Sequence, residues 1–564
     1  MTVAGAAVTG AEDRPRVLIV NAAVGDPDGP LAAADAVLTV GDRIRAVGRG
    51  TELRELAGGA AATVDAGGRR VIPGLVDGHA HVVRAGLTWA RELRWDRPRS
   101  LEEALGLVAE RASAVPAGTW IPVVGGWHPA QFAEGRGPTR ADLDRVAPDH
   151  PCYVQLLYDE AVLNTAGLAA AELLQGSAPN GGEVALDRDG APTGIVRGPG
   201  LFRHCLARIG GATLPERVDS TRSMLADLAA LGLTGALDPG GIGLGPDSYA
   251  AFFELWRRGE LTLRTRLYLG AGRAGTERRE IEDWLRFLPR AFGDEQLRVT
   301  GIGEIVLFAC WDGDGTAPFS IDAEARDELT EISRLVASAG WPMHLHAIID
   351  ESASAILDAW EAVDRQTRIA PLRFSLAHAD AVADANLRRA RALGAGIALQ
   401  DRMVLRGGGS ARAWGERAVE QAPPLRRLLE LGFPLSGGTD ATVVSSIDPW
   451  RSLWWLISGR LLGGGPRRAP EHRLSRAAAL ELYTRGSAWF SFEENERGRI
   501  APGQLADLLI LSGDYFEVPE DEIAEIRPEL TLVGGRVAHA GPALRAQVQA
   551  LRGFPSPPAP GAFV

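Results

Sequence analysis

Apolar residues in this chain come in short blocks whose spacing changes from two to about three and a half along its length. From Arg16 the blocks are β-branched and punctuated by Gly, Asp and Pro: RVLIVNAAV, AVLTVGDRIRAVG and RRVIPGLVDGHAHV. That is a strand-rich pattern with turn signals between strands. It returns near the C-terminus in GRIAPGQLADLLIL and ELTLVGGRVAHAG. The two ends are therefore expected to build one small β-sandwich module, from 16–70 and 490–545. Between them, GLTGALDP, LTLRTRLYL, GEIVLFA, PMHLHAI, RFSLAHA, AGIALQ and FPLSGG read as strands. They alternate with helical stretches such as AEARDELTEISRLVASAG, ESASAILDAWEAVD and NLRRARALG. Such alternation means βα units around a parallel sheet, and about eight of them close a barrel. The expected fold is α/β, a distorted (β/α)8 TIM-like barrel over 71–489. Residues from about 115 to 230 fit the alternation poorly and are expected to form an inserted cap. Residues 1–15 read as a disordered tail, and 546–564 as a Pro-rich one.

Composition narrows the partners. The chain has 60 basic and 72 acidic side chains, a net charge of −12, and no basic run, so nucleic acid is not an expected partner. No run of 18 apolar residues is present, which argues against a membrane span. The first residues carry acids where a signal peptide needs a cationic start. Cys152, Cys205 and Cys310 lie far apart with no C-x-x-C pair, as in a reducing compartment. A cytoplasmic enzyme acting on a small molecule is the expectation, with a homodimer left open. The chain contains no lysine, so all 60 basic residues are arginine, and no step can use a lysine amine.

The candidate chemistry sits at strand ends. His79 and His81 form H-A-H, and a period of two aims both imidazoles to the same side. His346 closes PMHLHAI, His378 closes RFSLAHA and Asp440 closes FPLSGGTD. One such histidine is ordinarily a hydrogen-bonded core residue. Nitrogen and oxygen donors at the ends of several strands of one barrel, which already opens with H-x-H, point to a metal site. His344 shares the parity of His346 but lies two residues deeper, as a packed histidine behind the site. Asp350 is expected to cap the helix that follows. Of the tryptophans, Trp127 and Trp311 fall near loops and are candidate substrate contacts, although core packing explains such residues equally well.

These residues resemble the metal-dependent amidohydrolase superfamily, and within it the YtcJ-like branch related to N-substituted formamide deformylases. The motifs are PGLVDGHAH, HLHAIIDESASAILDAW, LAHADAVADANLRRARALG, GGTDATVVSSIDPW, ERGRIAPGQLADLLIL and ALDRDGAPTGIVRG. The resemblance runs from about Arg16 to Ala540. It implies that His79, His81 and His346 bind a divalent metal, with zinc the expected ion. It implies that His378 binds a second metal or polarises the substrate, and that Asp440 ligates and handles the proton of the attacking water. The implied activity is hydrolysis of an amide or N-formyl-type C–N bond. A deaminase or another carbon–heteroatom hydrolase on the same site is the alternative, and a barrel that binds without catalysis is the alternative of another class.

Two departures stand out. Relatives often carry a strand-4 lysine, carbamylated between two metals; here Val306 takes its place in GEIVLFACWDGDG. Glu304 and Cys310 share the parity of Val306. Glu304 is a candidate for the missing bridge or, two residues deeper, a structural hydrogen-bonding residue, while Cys310 reads as buried. A side chain that deep is not expected to reach the mouth, so one tightly held ion is expected rather than two. In QLLYDEAVLNTAGL, Asp159 stands where relatives often have a histidine, which marks it as a candidate substrate contact.

Overall fold

The computed structural model describes residues 15–549 apart from 27, 60, 180, 463 and 464. The tail read at 1–15 lies outside them except for Pro15. Of the C-terminal tail, the first residues belong to a helix, Arg545–Gln549, and 550–564 lie outside the described residues.

Eight parallel strands follow one another around the centre in chain order: β1 (Leu75–Asp77), β2 (Leu233–Asp238), β3 (Arg264–Leu269), β4 (Leu297–Glu304), β5 (Met343–Ile349), β6 (Ser375–Ala381), β7 (Gly396–Gln400) and β8 (Leu435–Gly438). They are buried almost throughout, as expected for a parallel sheet covered on both faces. The ring closes just past the first strand. Gly78 N–H donates to Gly437 O at 2.8 Å and Asp440 N–H donates to His79 O at 2.8 Å. Close approach requires glycine there: a Cβ on Gly78 would lie 2.7 Å from Ser436 Oγ, and one on Gly438 2.7 Å from His79 N.

The covering helices follow from their periodicity. Helix Ala323–Ser338 starts at Asp322, whose side chain accepts from Ala325 N–H at 2.8 Å. It buries Leu329, Ile332, Ser333, Val336 and Ala337, one face at helical spacing. Each fully buried Leu, Ile or Val there contributes roughly 1.5–3 kcal/mol.

One expected strand is shorter than its sequence suggested. In GEIVLFA the strand stops at Glu304, and Phe308–Cys310 forms a single 3-10 turn. Ile305, Val306 and Leu307 are buried all the same, beside Leu329 and Ile356 of two covering helices. A run that is buried without being extended reads identically to a strand.

Strands from both ends pair in one sheet. Arg70–Pro73 lies between Ala23–Val24 and Leu508–Leu511, followed by Pro528–Val533 and Arg536–Ala540. A second sheet holds Arg43–Gly48, Ala36–Val40, Arg16–Val20 and Ala62–Asp65. Alternation divides Arg16–Val20: Val17 and Ile19 face the other sheet, while Leu18 and Val20 pack with Leu53 and Ala57 of helix Gly50–Ala57.

Between β1 and β2 the chain builds a five-stranded sheet in the order Glu183–Leu186, Pro192–Arg197, Glu160–Leu163, Cys152–Leu156, Ile121–Val124. Helix Leu214–Ala230, read with this insertion, belongs instead to the barrel layer. Its Met224, Leu225, Leu228 and Ala229 join the main core and it leads into β2. No helix among the described residues is long and apolar enough to cross a membrane.

Candidate metal centre

β1 proper ends at Asp77, and His79 and His81 follow in the turn. Asp77 positions them. It accepts His79 N–H at 3.0 Å and, across the closing seam, Thr439 N–H at 3.2 Å and the Thr439 hydroxyl at 2.7 Å. Asp440 follows Thr439 with φ of 56°, and His378 and Ala379 have φ of 71° and 50°. Non-glycine residues rarely adopt this left-handed region, and it concentrates at functional sites. His378 N–H is held by Gln400 Oε1 of β7 at 2.7 Å.

The side chains meet around one carboxylate. Glu304, the last residue of β4, sets Oε2 3.5 Å from His79 Nε2, 3.4 Å from His346 Nδ1 and 3.7 Å from His378 Nε2. Its Oε1 lies 3.4 Å from His81 Nε2. Asp440 Oδ1 is 3.1 Å from His81 Nε2 and 3.5 Å from His79 Nε2, and its Oδ2 is 3.9 Å from His378 Nδ1. The expectation that Glu304 sits too deep is therefore corrected. Because the strand stops at Glu304, this residue marks the mouth, and Val306 lines an apolar recess beside it.

Donor atoms of His79, His81 and Asp440 lie within 4.8 Å of one another, as do those of His79, Glu304 and His378. His79 Nε2, Glu304 Oε2 and His378 Nδ1 are buried and make no hydrogen bond. Buried polar atoms are normally satisfied, so a convergent set of unsatisfied donors suits a cation, and imidazole with carboxylate suits zinc and its neighbours.

The electrostatics agree. Burial pushes Glu304 up, but the imidazoles of His346 and His378 beside it hold it well below the usual range. Burial opposes charge on His81, yet Asp440 and Glu304 raise it to about 10. Burial likewise opposes charge on His346, and Asp312 and Glu304 raise it to about 10. His378 is pushed down to about 4 by burial and by His346. Two buried carboxylates thus draw positive charge into the cluster. A bound cation would take the place of protons on these imidazoles.

The rings are fixed from behind by His344, expected there from the sequence, and by Asp238 and Asp312, which the sequence reading did not single out. His81 Nδ1 meets Gly240 O at 2.7 Å, in a turn shaped by Asp238, which accepts Gly240 N–H at 2.9 Å and Val83 N–H at 2.7 Å. His79 Nδ1 meets His344 Nε2 at 2.9 Å, and His344 Nδ1 meets Ser375 Oγ at 2.8 Å. His346 Nε2 meets Asp312 Oδ1 at 2.8 Å. Asp238 closes a strand, as Asp440 follows one, so the same signal marked it. Asp312 sits in WDGDG, where only proximity to His346 reveals a role.

The remaining candidates divide. Trp127 is not at the mouth. It is buried in the cap core against Trp95 and Phe132, and its Nε1–H donates to Gln155 O at 2.8 Å. Trp311 is half-buried with its ring 6.3 Å from that of His346. It borders an apolar recess with Val306, Cys310 and Leu345. Asp159 lies on the cap hairpin beside the exposed Tyr158, and Arg406 Nη1 donates to its Oδ1 at 2.7 Å. Asp350 does not cap its own helix. It is the first residue of Asp350–Asp364, and its Oδ1 accepts Ala383 N–H and Asn386 Nδ2–H, both at 2.8 Å.

Residues 62–539 match the model of the amidohydrolase family. The chain belongs to that family. It is an enzyme, a hydrolase acting on carbon–nitrogen bonds. An N-substituted formamide deformylase of Arthrobacter pascens is 27% identical over 545 residues, which cover 92% of this amidohydrolase and 97% of that enzyme. The Bacillus subtilis (strain 168) protein YtcJ, named for the amidohydrolases, is 24% identical over 501 residues, covering 84% and 89%. A metal-dependent hydrolase of Pyrococcus furiosus, uncharacterised in function, shares the fold. Its TM-score is 0.64 at 23% identity, over 89% of this chain and all of that one.

Proposed function

We propose that this amidohydrolase cleaves an amide or N-formyl-type C–N bond of a small molecule, and that two divalent ions, zinc by donor chemistry, share Glu304. The observation that carries this reading is the convergence of four histidines, Glu304 and Asp440, with His79 Nε2 and Glu304 Oε2 buried and unbonded. His79, His81 and Asp440 would hold one ion, and His346 and His378 the other. Two close cations need an anion between them, and Glu304 at the centre of the cluster would supply it. The similarity to an N-substituted formamide deformylase supports the N-formyl end of the range.

When bound, a divalent ion lowers the pKa of a water toward about 7 and polarises the scissile carbonyl. Asp440 accepts the proton of that water and delivers it to the leaving nitrogen, which would otherwise depart as an amide anion. With Nε2 committed to a ligand, His378 keeps its proton on Nδ1, 3.9 Å from Asp440 Oδ2, which favours the ionised, proton-accepting form of Asp440. Trp311 and the Tyr158–Asp159 hairpin flank the entrance and would contact the substituent on the nitrogen or the acyl carbon.

The test is a screen of N-formyl amines, N-acyl amines and cyclic amides, with metal content measured on the same preparation. Amine and carboxylate released in equal amounts, in proportion to bound metal, is the expected result. Ammonia without a carboxylate, or turnover independent of metal, would overturn it.

A further inference from the structure

We propose that Asp312 is a positioning residue that locks the tautomer of His346, so that Nδ1 presents its lone pair to the metal centre. This role rests on the two-ion reading above only in assigning His346 to an ion.

Both groups facing His346 Nε2 are pure acceptors. Asp312 Oδ1 lies at 2.8 Å and Gly313 O at 3.1 Å. A carboxylate and a carbonyl can only accept, so in the neutral imidazole that binds a cation the proton must sit on Nε2. The lone pair is then on Nδ1, the atom 3.4 Å from Glu304 Oε2 and 2.9 Å from His378 Nε2. Of the two possible neutral tautomers, only this one is a ligand on that side, because a protonated Nδ1 cannot coordinate.

Asp312 is itself over-determined. It is buried, and its Oδ2 accepts Ile348 N–H at 2.9 Å, Ile349 N–H at 3.1 Å and the Ser352 hydroxyl at 2.5 Å. Those donors come from the end of β5 and the first turn of helix Asp350–Asp364. The same strand carries His346, so the carboxylate from the β4 loop fastens the ligand and its backbone together. Three donors on Oδ2 leave Oδ1 the oxygen turned to the imidazole. An asparagine cannot reproduce this. With its oxygen toward Ile348, Ile349 and Ser352, its NH2 faces His346 Nε2 and drives the proton to Nδ1. With its oxygen toward His346, its NH2 opposes the two backbone N–H groups.

The experiment uses the full-length protein, stripped of metal and titrated with Zn2+ against a chromophoric chelator. Co2+ titrations follow the visible absorption bands. For Asp312→Asn the expected result is a 10–100-fold weaker affinity for one ion, the usual cost of losing a partner behind a metal-bound histidine. The Co2+ bands should shift, while the melting temperature of the metal-free protein changes far less than that of the loaded one. Parent-like Zn2+ affinity and Co2+ bands in Asp312→Asn would overturn the proposal, whatever happens to stability. Should that variant fail to fold, Ser352→Ala removes one anchor of Oδ2 and is expected to weaken the same ion several-fold; unchanged affinity there would overturn it equally. A parent that binds a single ion overturns the shared-Glu304 reading alone, provided Asp312→Asn still weakens that ion.

Discussion

Arg406 Nη1 donates to Asp159 Oδ1 at 2.7 Å, joining the helix after β7 to the cap hairpin at the edge of the barrel mouth. The guanidinium is 5% exposed and the carboxylate 54%, and a second arm of Arg406 reaches Asp314 of the β4 loop. A pair so open to water on one side contributes only about 0.2–1 kcal/mol. Asp159→Asn should therefore leave the fold intact and loosen the hairpin over the entrance. The expected outcome on any substrate found is a KM raised about 2–5-fold with kcat nearly unchanged. An unchanged KM would remove Asp159 from the entrance.

Asp440→Asn should keep the shape of the site and most bound metal while losing the proton acceptor. The expected fall in kcat is at least about 100-fold, within the usual range for a general base. Parent-like turnover would show that another group moves the proton.

Glu304→Gln should bind one ion after dialysis where the parent holds two, measured by elemental analysis against protein concentration, because the amide cannot neutralise two cations. His79→Ala and His81→Ala should each lose metal and activity, since no neighbouring side chain can replace either imidazole. Two ions retained in Glu304→Gln would make hydroxide or another carboxylate the bridge.

Far from the site, Glu493 clamps Arg266 of β3: Oε1 is 2.6 Å from Nη2, and the Ser491 hydroxyl adds a bond of 2.7 Å. Burial pushes Glu493 up, but Arg266 outweighs it and holds the carboxyl at about 2 against an ordinary 4.5. The folded state thus binds its proton later than the unfolded chain does. The stabilisation, on the order of 3 kcal/mol, is complete above pH 4.5 and lost as pH falls from 4.5 toward 2. In urea titrations Glu493→Gln should be less stable than the parent at pH 7, with the gap closing below pH 4.5. A gap independent of pH would mean that the pair is not the source.

The sequence by itself determined the architecture and singled out most of the side chains that converge at the barrel mouth. Alternating strands and amphipathic helices can bury their apolar faces in few ways, and H-A-H, His346, His378 and Asp440 each sit where a strand run ends. Those features are local, carried by period and punctuation. The tertiary structure decided what depends on where a strand stops and what lies behind a side chain. Ile305, Val306 and Leu307 are as apolar as any strand, so nothing local shows that β4 ends at Glu304 and brings its carboxylate among four imidazoles. Trp127 and Trp311 are the same residue type near similar turns, yet one fills the cap core and the other borders the site. Asp312 becomes the partner of His346 only through a contact across 34 residues. Hydrogen bonds between distant strands leave no periodic trace, because they require only that two side chains meet in space.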